Sequence, residues 1–191
     1  PFDQGSLSDD MIFSLFEDAS GILWSGTYFG GISKADPPEA RFIPYTNFHR
    51  LFGLNRAANH IRSLYHDGAS TLWVTTSKGL LSLSETWFQK PSSPDGARIW
   101  FRDQEQSLIL GDALGNLYLN NNTGIFIRKK DHPDFTPFRP LLAPGTPPMT
   151  WYAHAFSDAG HHLWFLSNHI YRYDPVANLL ERIDPITDPG I

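Results

Sequence analysis

A chain of 191 residues with 41% hydrophobic and 14% aromatic side chains is large enough to bury a substantial core in one or two domains, and 18% charged residues argues against disorder. A formal charge of −5, with 15 Lys and Arg scattered along the chain, supplies no basic field for nucleic acid. With no cysteine the chain has neither a disulfide framework nor a thiolate metal site, and no apolar run approaches the ~20 residues of a membrane span.

Met11 to Phe16 is a short, nearly continuous apolar run, as expected of a strand covered on both faces. Asp18-Ala-Ser-Gly21 follows as a turn, in which the carboxylate bonds backbone N–H groups and Gly supplies positive φ. Ile22 to Thr27 is the second strand, Tyr28-Phe29-Gly30 the next turn, and Gly31 to Ala35 the third strand. Arg41 to Tyr45 is the fourth, its proline suited to an edge. The same phrase then returns 49 residues later: Ile12 to Asp18 with Leu23-Trp24 and Gly26-Thr27 is answered by Ile61 to Asp67 with Leu72-Trp73 and Thr75-Thr76.

The second repeat predicts strands near 61–66, 71–76, 80–84 and 86–90. A third, read from Trp100 to Asp103 with Ile109 in the tryptophan position, predicts 98–102, 107–111, 116–120 and 125–129. The fourth, marked by Phe156 to Asp158 and Leu163-Trp164, predicts 151–156, 162–166, 169–173 and 179–183, with Asp184 to Ile191 as a connection. Measured between Asp18, Asp67, Asp103 and Asp158 the periods are 49, 36 and 55 residues, close on average to the roughly 40–50 of a four-stranded propeller blade. The expectation is an all-β β-propeller of four four-stranded antiparallel blades, at about 9–47, 58–91, 96–130 and 150–184. Trp24, Trp73 and Trp164 are expected to fill the wedge between blades. The aspartates are expected to cap turns, since one carboxylate per turn is too few for calcium.

Asp18 to Gly31, reading an Asp, a Gly turn, Leu-Trp, Gly-Thr and Gly-Gly, closely resembles the two-component regulator propeller repeat, and Ser6-Leu7-Ser8 resembles the segment that introduces it. The resemblance is good in the second repeat and partial in the third and fourth, where Gly111-Asp112 and Leu166-Ser167 replace Gly-Thr. It implies the extracytoplasmic, seven-bladed propeller of a bacterial membrane sensor, commonly a hybrid histidine kinase and sometimes a diguanylate cyclase. On that reading the chain is an internal piece of a longer protein, an arc of the larger propeller with apolar end faces; a closed four-bladed ring is the alternative. The remaining blades of the parent chain are its partners, homodimerisation is an alternative use of the same loops, and membrane contact comes only through the parent.

In an up-and-down blade the turn between the second and third strands shares a face with the connection to the next blade, and the Asp turns lie opposite. The long insertions, 46–59 and 131–150, fall on the first face, where recognition concentrates. Candidate ligand-binding residues there are Tyr28, Phe29, Arg50, Arg56, His60, Lys78, Asp112, Asn116, His132, Arg139, Asn168 and His169. This mixture of aromatic, cationic and amide groups suits an oligosaccharide, neutral or anionic, or another small ligand.

No nucleophile elbow, phosphate loop or zinc-binding helix is spelled out. His161-His162 is an adjacent pair in a turn, poor geometry for holding one metal. No catalytic residue, metal or cofactor is therefore assigned. The function expected is ligand sensing without catalysis in this chain. A polysaccharide lyase or glycosidase, whose carboxylates could come from different blades, and a structural interaction propeller are the alternatives.

Overall fold

A computed structural model describes residues 5–18, 20–36, 41–46, 48–68, 70–91, 93 and 95–183. The chain forms two compact units, Pro1–Ile109 and Leu110–Ile191.

The first unit holds two antiparallel sheets. One runs β1 (Ile12–Glu17), β2 (Leu23–Thr27), β3 (Ile32–Asp36), β4 (Arg41–Tyr45), and the other β5 (Ile61–His66), β6 (Thr71–Thr76), β7 (Gly79–Ser84), β8 (Ala97–Trp100), each in chain order across the sheet. The repeated phrase produces repeated detail: Phe16 pairs with Trp24 and Tyr65 with Trp73, and both opening strands carry a register shift, between Ile12 and Ser14 and between Ile61 and Ser63. The core is made of Trp24, Ile32, Ile61, Leu72, Val74, Leu81 and Leu83, with Phe48 and Trp87 added from short helices and Phe52 from the turn after the first of them. Each fully buried aliphatic side chain contributes roughly 1.5–3 kcal/mol.

Those helices are α1 (Phe48–Leu51), a 3₁₀ turn (Arg56–Asn59) and α2 (Glu85–Gln89). Each is a single turn, held by tertiary anchors rather than by its own propensity. Trp87 of α2 is buried, stacked on Phe48 of α1 at a centroid distance of 5.7 Å.

β9 (Gln106–Gly111) crosses the boundary between units. With β10 (Leu117–Asn121), β11 (Gly124–Arg128) and β12 (Thr136–Pro137) it forms the third sheet. The fourth is β14 (His154–Ser157), β15 (Leu163–Leu166), β16 (Ile170–Asp174) and β17 (Leu179–Ile183), with β13 (Leu141–Leu142) parallel to β17. In the second unit Tyr118, Tyr152, Phe165, Tyr171 and Tyr173 are buried. Each sheet contains four strands in up-and-down order, the blade of a β-propeller.

The first blade follows the sequence reading strand for strand. The second and third do not. The strand expected at 86–90 is helix α2, and the strand expected at 98–102 to open the third blade instead closes the second sheet as β8. The third blade accordingly opens with β9 and ends with β12, a strand drawn from the proline-rich insertion. The same insertion supplies β13, so both outer edges in this unit are capped by it, which blunts open ladders. The connection expected at Asp184 to Ile191 lies outside the described residues.

Candidate functional site

The two ends of each blade differ chemically. At one end sits a carboxylate clamp. Asp18 Oδ1 accepts the N–H groups of Ser20 and Ile22, while its Oδ2 accepts the indole N–H of Trp24 at 2.9 Å. Asp158 does the same with Gly160, His162 and Trp164. Asp67 Oδ1 accepts the N–H groups of Ser70 and Thr71. In the third sheet the clamp is Asp112, not Asp103: its Oδ1 accepts the N–H groups of Leu114 and Asn116, and its Oδ2 accepts Tyr118 O–H at 2.7 Å. Asp103 sits at φ 62 and its N–H donates to Lys78 O, pinning the start of the β8–β9 connection to the β6–β7 turn. With Asp112 in place the aspartates stand 49, 45 and 46 residues apart.

Several strong donors on one carboxylate favour its charged form. The Trp164 indole, with the backbone of His162 and Gly160, holds the Asp158 carboxyl down at about 2. For Asp18 burial acts upward, but hydrogen bonds from Ser20, Trp24 and Ile22 outweigh it and hold the group below the usual value. Burial pushes the Tyr118 phenol up, so it stays a donor throughout the working range.

The other end of the first unit carries the long loop between its two sheets. Phe48 and Phe52 sink α1 into the core, Arg102 donates to Phe52 O at 2.8 Å, and the Asn55 side chain caps the 3₁₀ turn by accepting Ala57 N–H at 2.9 Å. Asn59 closes the loop: its Nδ2 donates to Thr46 O and its carbonyl accepts Gly31 N–H. The 46–59 insertion is therefore a built surface.

Against it stands an aromatic cluster. Tyr28 lies 4.1 Å from Phe29, 4.3 Å from His60 and 5.4 Å from Phe13 between ring centroids. Ser77 Oγ hydrogen-bonds His60 Nδ1 at 3.0 Å. Burial, and then the nearby Arg62 charge, lower the His60 pKa against a smaller opposing pull from Glu105, which favours the neutral ring. Asp9 fixes one exposed member of the cluster, its Oδ2 accepting Phe29 N–H at 2.9 Å. The preceding Ser8 packs so closely on the β2–β3 turn that a Cβ at Gly30 would lie 2.6 Å from Ser8 O.

Phe29 opens onto a cleft of about 510 Å³ lined also by His49, Arg50, Arg56 and Asn59. Both arginines and Phe29 are exposed, whereas Asn59 is buried. Asn59 Oδ1 and His49 Nδ1 are buried without a hydrogen-bond partner among the described residues. An unsatisfied buried polar atom costs about 1–3 kcal/mol.

The structure thus brings together five of the expected residues: Tyr28, Phe29 and His60 in the cluster, Phe29, Arg50 and Arg56 in the cleft. Lys78 occupies the β6–β7 turn, its N–H bonded to Thr76 Oγ1. Asp112 and Asn116 were expected at the loop end and lie instead in the clamp turn of β9 and β10, with Asn116 Nδ2 donating to Asp112 Oδ2. Asn168 and His169 share the β15–β16 turn; His132 and Arg139 are exposed in the proline-rich insertion. Phe13, His49 and Asn59 were not among the expected residues. Phe13 was hidden in an apolar run read as buried, and Asn59 carries no sequence signal beyond its place in the loop. Among the described residues no group of three His, Asp or Glu could hold a metal.

The clamp turn, the Ser8–Gly30 contact and the Asp9–Phe29 bond all fall within or beside one short stretch. Residues 6–29 match the two component regulator propeller. That repeat accounts for β1, β2 and the turn presenting Tyr28 and Phe29. No curated protein matches the chain. Among solved structures it is similar to the extracellular domain of a B. thetaiotaomicron protein assigned to the hybrid two component systems, with TM-score 0.72 and 18% identity over 97% of this chain and 23% of that one. It is similar to the extracellular domain of a B. thetaiotaomicron protein assigned to the one component systems, with TM-score 0.65 and 19% identity over 94% and 25%. The virginiamycin B lyase of Staphylococcus aureus also shares the fold, with TM-score 0.65 and 16% identity over 93% and 56%. The chain therefore spans about a quarter of the length of the first two. No helix among the described residues is long and apolar enough to cross a membrane.

Proposed function

We propose that this chain is a ligand-sensing segment of the extracytoplasmic propeller of a bacterial membrane signalling receptor, with any catalysis carried elsewhere in the parent. The observation that carries the reading is the cleft: a loop ordered by Phe48, Phe52, Arg102 and Asn59 sets two guanidinium groups beside the exposed Phe29 ring. A preorganised surface of that kind binds without a large ordering cost. The regulator repeat at residues 6–29 and the likeness to extracellular domains of signalling proteins support the sensor context. Because the chain spans a quarter of those domains, the remaining blades, the membrane segment and the output domain belong to the same proposal.

Thermal shift against a panel of saccharides and small acids tests it. A specific ligand at a hundred times its dissociation constant stabilises the chain by about 2.7 kcal/mol and is recovered chemically unchanged. Turnover of a bound polysaccharide would establish the enzyme alternative instead, and a panel with no stabilising member would favour a structural propeller.

A further inference from the structure

Resting on the sensing reading, we infer that the cleft beside α1 takes an acidic saccharide, its anionic group held between Arg50 and Arg56 and its apolar ring face laid on Phe29. The chain as a whole carries a formal charge of −5, yet among the described residues this cleft is lined by two arginines and a histidine and by no carboxylate. Neither guanidinium is engaged in an ion pair or side-chain hydrogen bond with a described residue. The acid nearest in the bonding pattern, Asp9, turns its oxygens to the N–H groups of Met11 and Phe29. Two free planar forks on one wall suit a carboxylate or a sulfate, which each accepts paired N–H bonds.

The rest of the wall asks for a sugar rather than a bare anion. Phe29 is 55% exposed although it belongs to an aromatic cluster, which leaves one ring surface open beside the guanidiniums. The C–H face of a pyranose fits there. Asn59, 6% exposed, and His49 complete the lining with polar groups. An uncharged sugar would use only the ring and the amide, leaving both arginines to water, so the cleft discriminates by charge.

The test is calorimetric titration of the chain with trigalacturonate, with the same trisaccharide fully methyl-esterified, and with a sulfated trisaccharide. Expected is binding of an acidic probe at least tenfold tighter than the ester, weakening with added salt. Arg50→Ala and Arg56→Ala should each weaken it at least tenfold while leaving the melting temperature of the free chain unchanged, since both side chains are exposed. Arg50→Lys should recover only part of the loss, because the charge remains and the fork does not. Preference for the uronate assigns the anion as a carboxylate, preference for the sulfated probe as a sulfate; either supports the acidic class. Ester bound as tightly as acid, with both alanine variants unaffected, overturns the inference and leaves sensing standing. No binding of any of the three at millimolar concentration also overturns it, while the wider ligand panel decides the sensing reading separately.

Discussion

The aspartate clamp rewards attention to chemistry over residue identity. Three clamps were legible because Asp18, Asp67 and Asp158 each precede a tryptophan by six residues. The third blade's clamp was not, because Tyr118 stands six residues after Asp112 and the sequence offered Trp100-Phe-Arg-Asp103 as a closer imitation. In the first, third and fourth blades the position holds a flat side chain whose polar hydrogen reaches the carboxylate, and a phenol does this as an indole does. Tyr118→Phe keeps the ring and removes the O–H that reaches Asp112, so we expect a loss of about 1–2 kcal/mol in urea denaturation. The clamps also make the chain acid-sensitive. The Asp158 carboxyl is held at about 2 against an ordinary 3.8, so the folded state binds fewer protons than the unfolded state across that interval. Its stabilisation is complete above the ordinary value and is lost as pH falls through about 2, and Asp18 contributes in the same direction. Denaturation midpoints measured from pH 5 to pH 2 should fall for the native chain and fall less for Asp158→Asn. His161, at φ 64, occupies the turn position that Gly21 and Gly115 fill in other blades, which explains the histidine pair without a metal.

At the scale of elements, the departures from the repeat have local causes. Gly26 and Thr75 hold equivalent places in β2 and β6. A Cβ on Gly26 would run into Ile61 Cγ2 and Ser14 Oγ, whereas Thr75 fits its site with its hydroxyl donating to Ser63 O at 3.3 Å and within 3.4 Å of Ser107 O. Gly26→Thr should therefore destabilise the chain by about 1–3 kcal/mol through overpacking, measured by chemical denaturation, despite restoring the second repeat's own residue. The strand meander was legible wherever apolar runs met Asp and Gly turns. Helix α2 was not, since Trp87-Phe88 in a five-residue segment reads equally as strand and only the burial of Trp87 decides the matter. Missing it displaced every strand assigned between 86 and 102 and carried Asp112 and Asn116 to the wrong end of their blade. The loop-end residues Tyr28, Phe29, Arg50, Arg56 and His60 were recoverable from topology alone, because strand direction fixes which turns share an end. Asn59 was not, because burial of one amide inside a loop leaves no pattern in the sequence.

At the scale of the whole molecule, four blades of regular period present two kinds of surface. One is apolar: Met11, just before β1, and Ile12, Phe13 and Leu15 on it are each at least 46% exposed. Exposed apolar side chains grouped in this way are the kind of surface that contact sites carry. The other is the cationic and aromatic cleft between the β2–β3 turn and the 46–59 loop, on which the functional account depends. Amide hydrogen exchange of the chain, alone and with a stabilising ligand from the panel, tests that account most directly. We expect slowed exchange at residues 28–31 and 48–60, where Phe29, Arg50, Arg56 and Asn59 reside, and little change in the clamp turns at 112–116 and 158–162. Protection confined to the clamp turns, or absent from 48–60 while the ligand stabilises the chain, would contradict it.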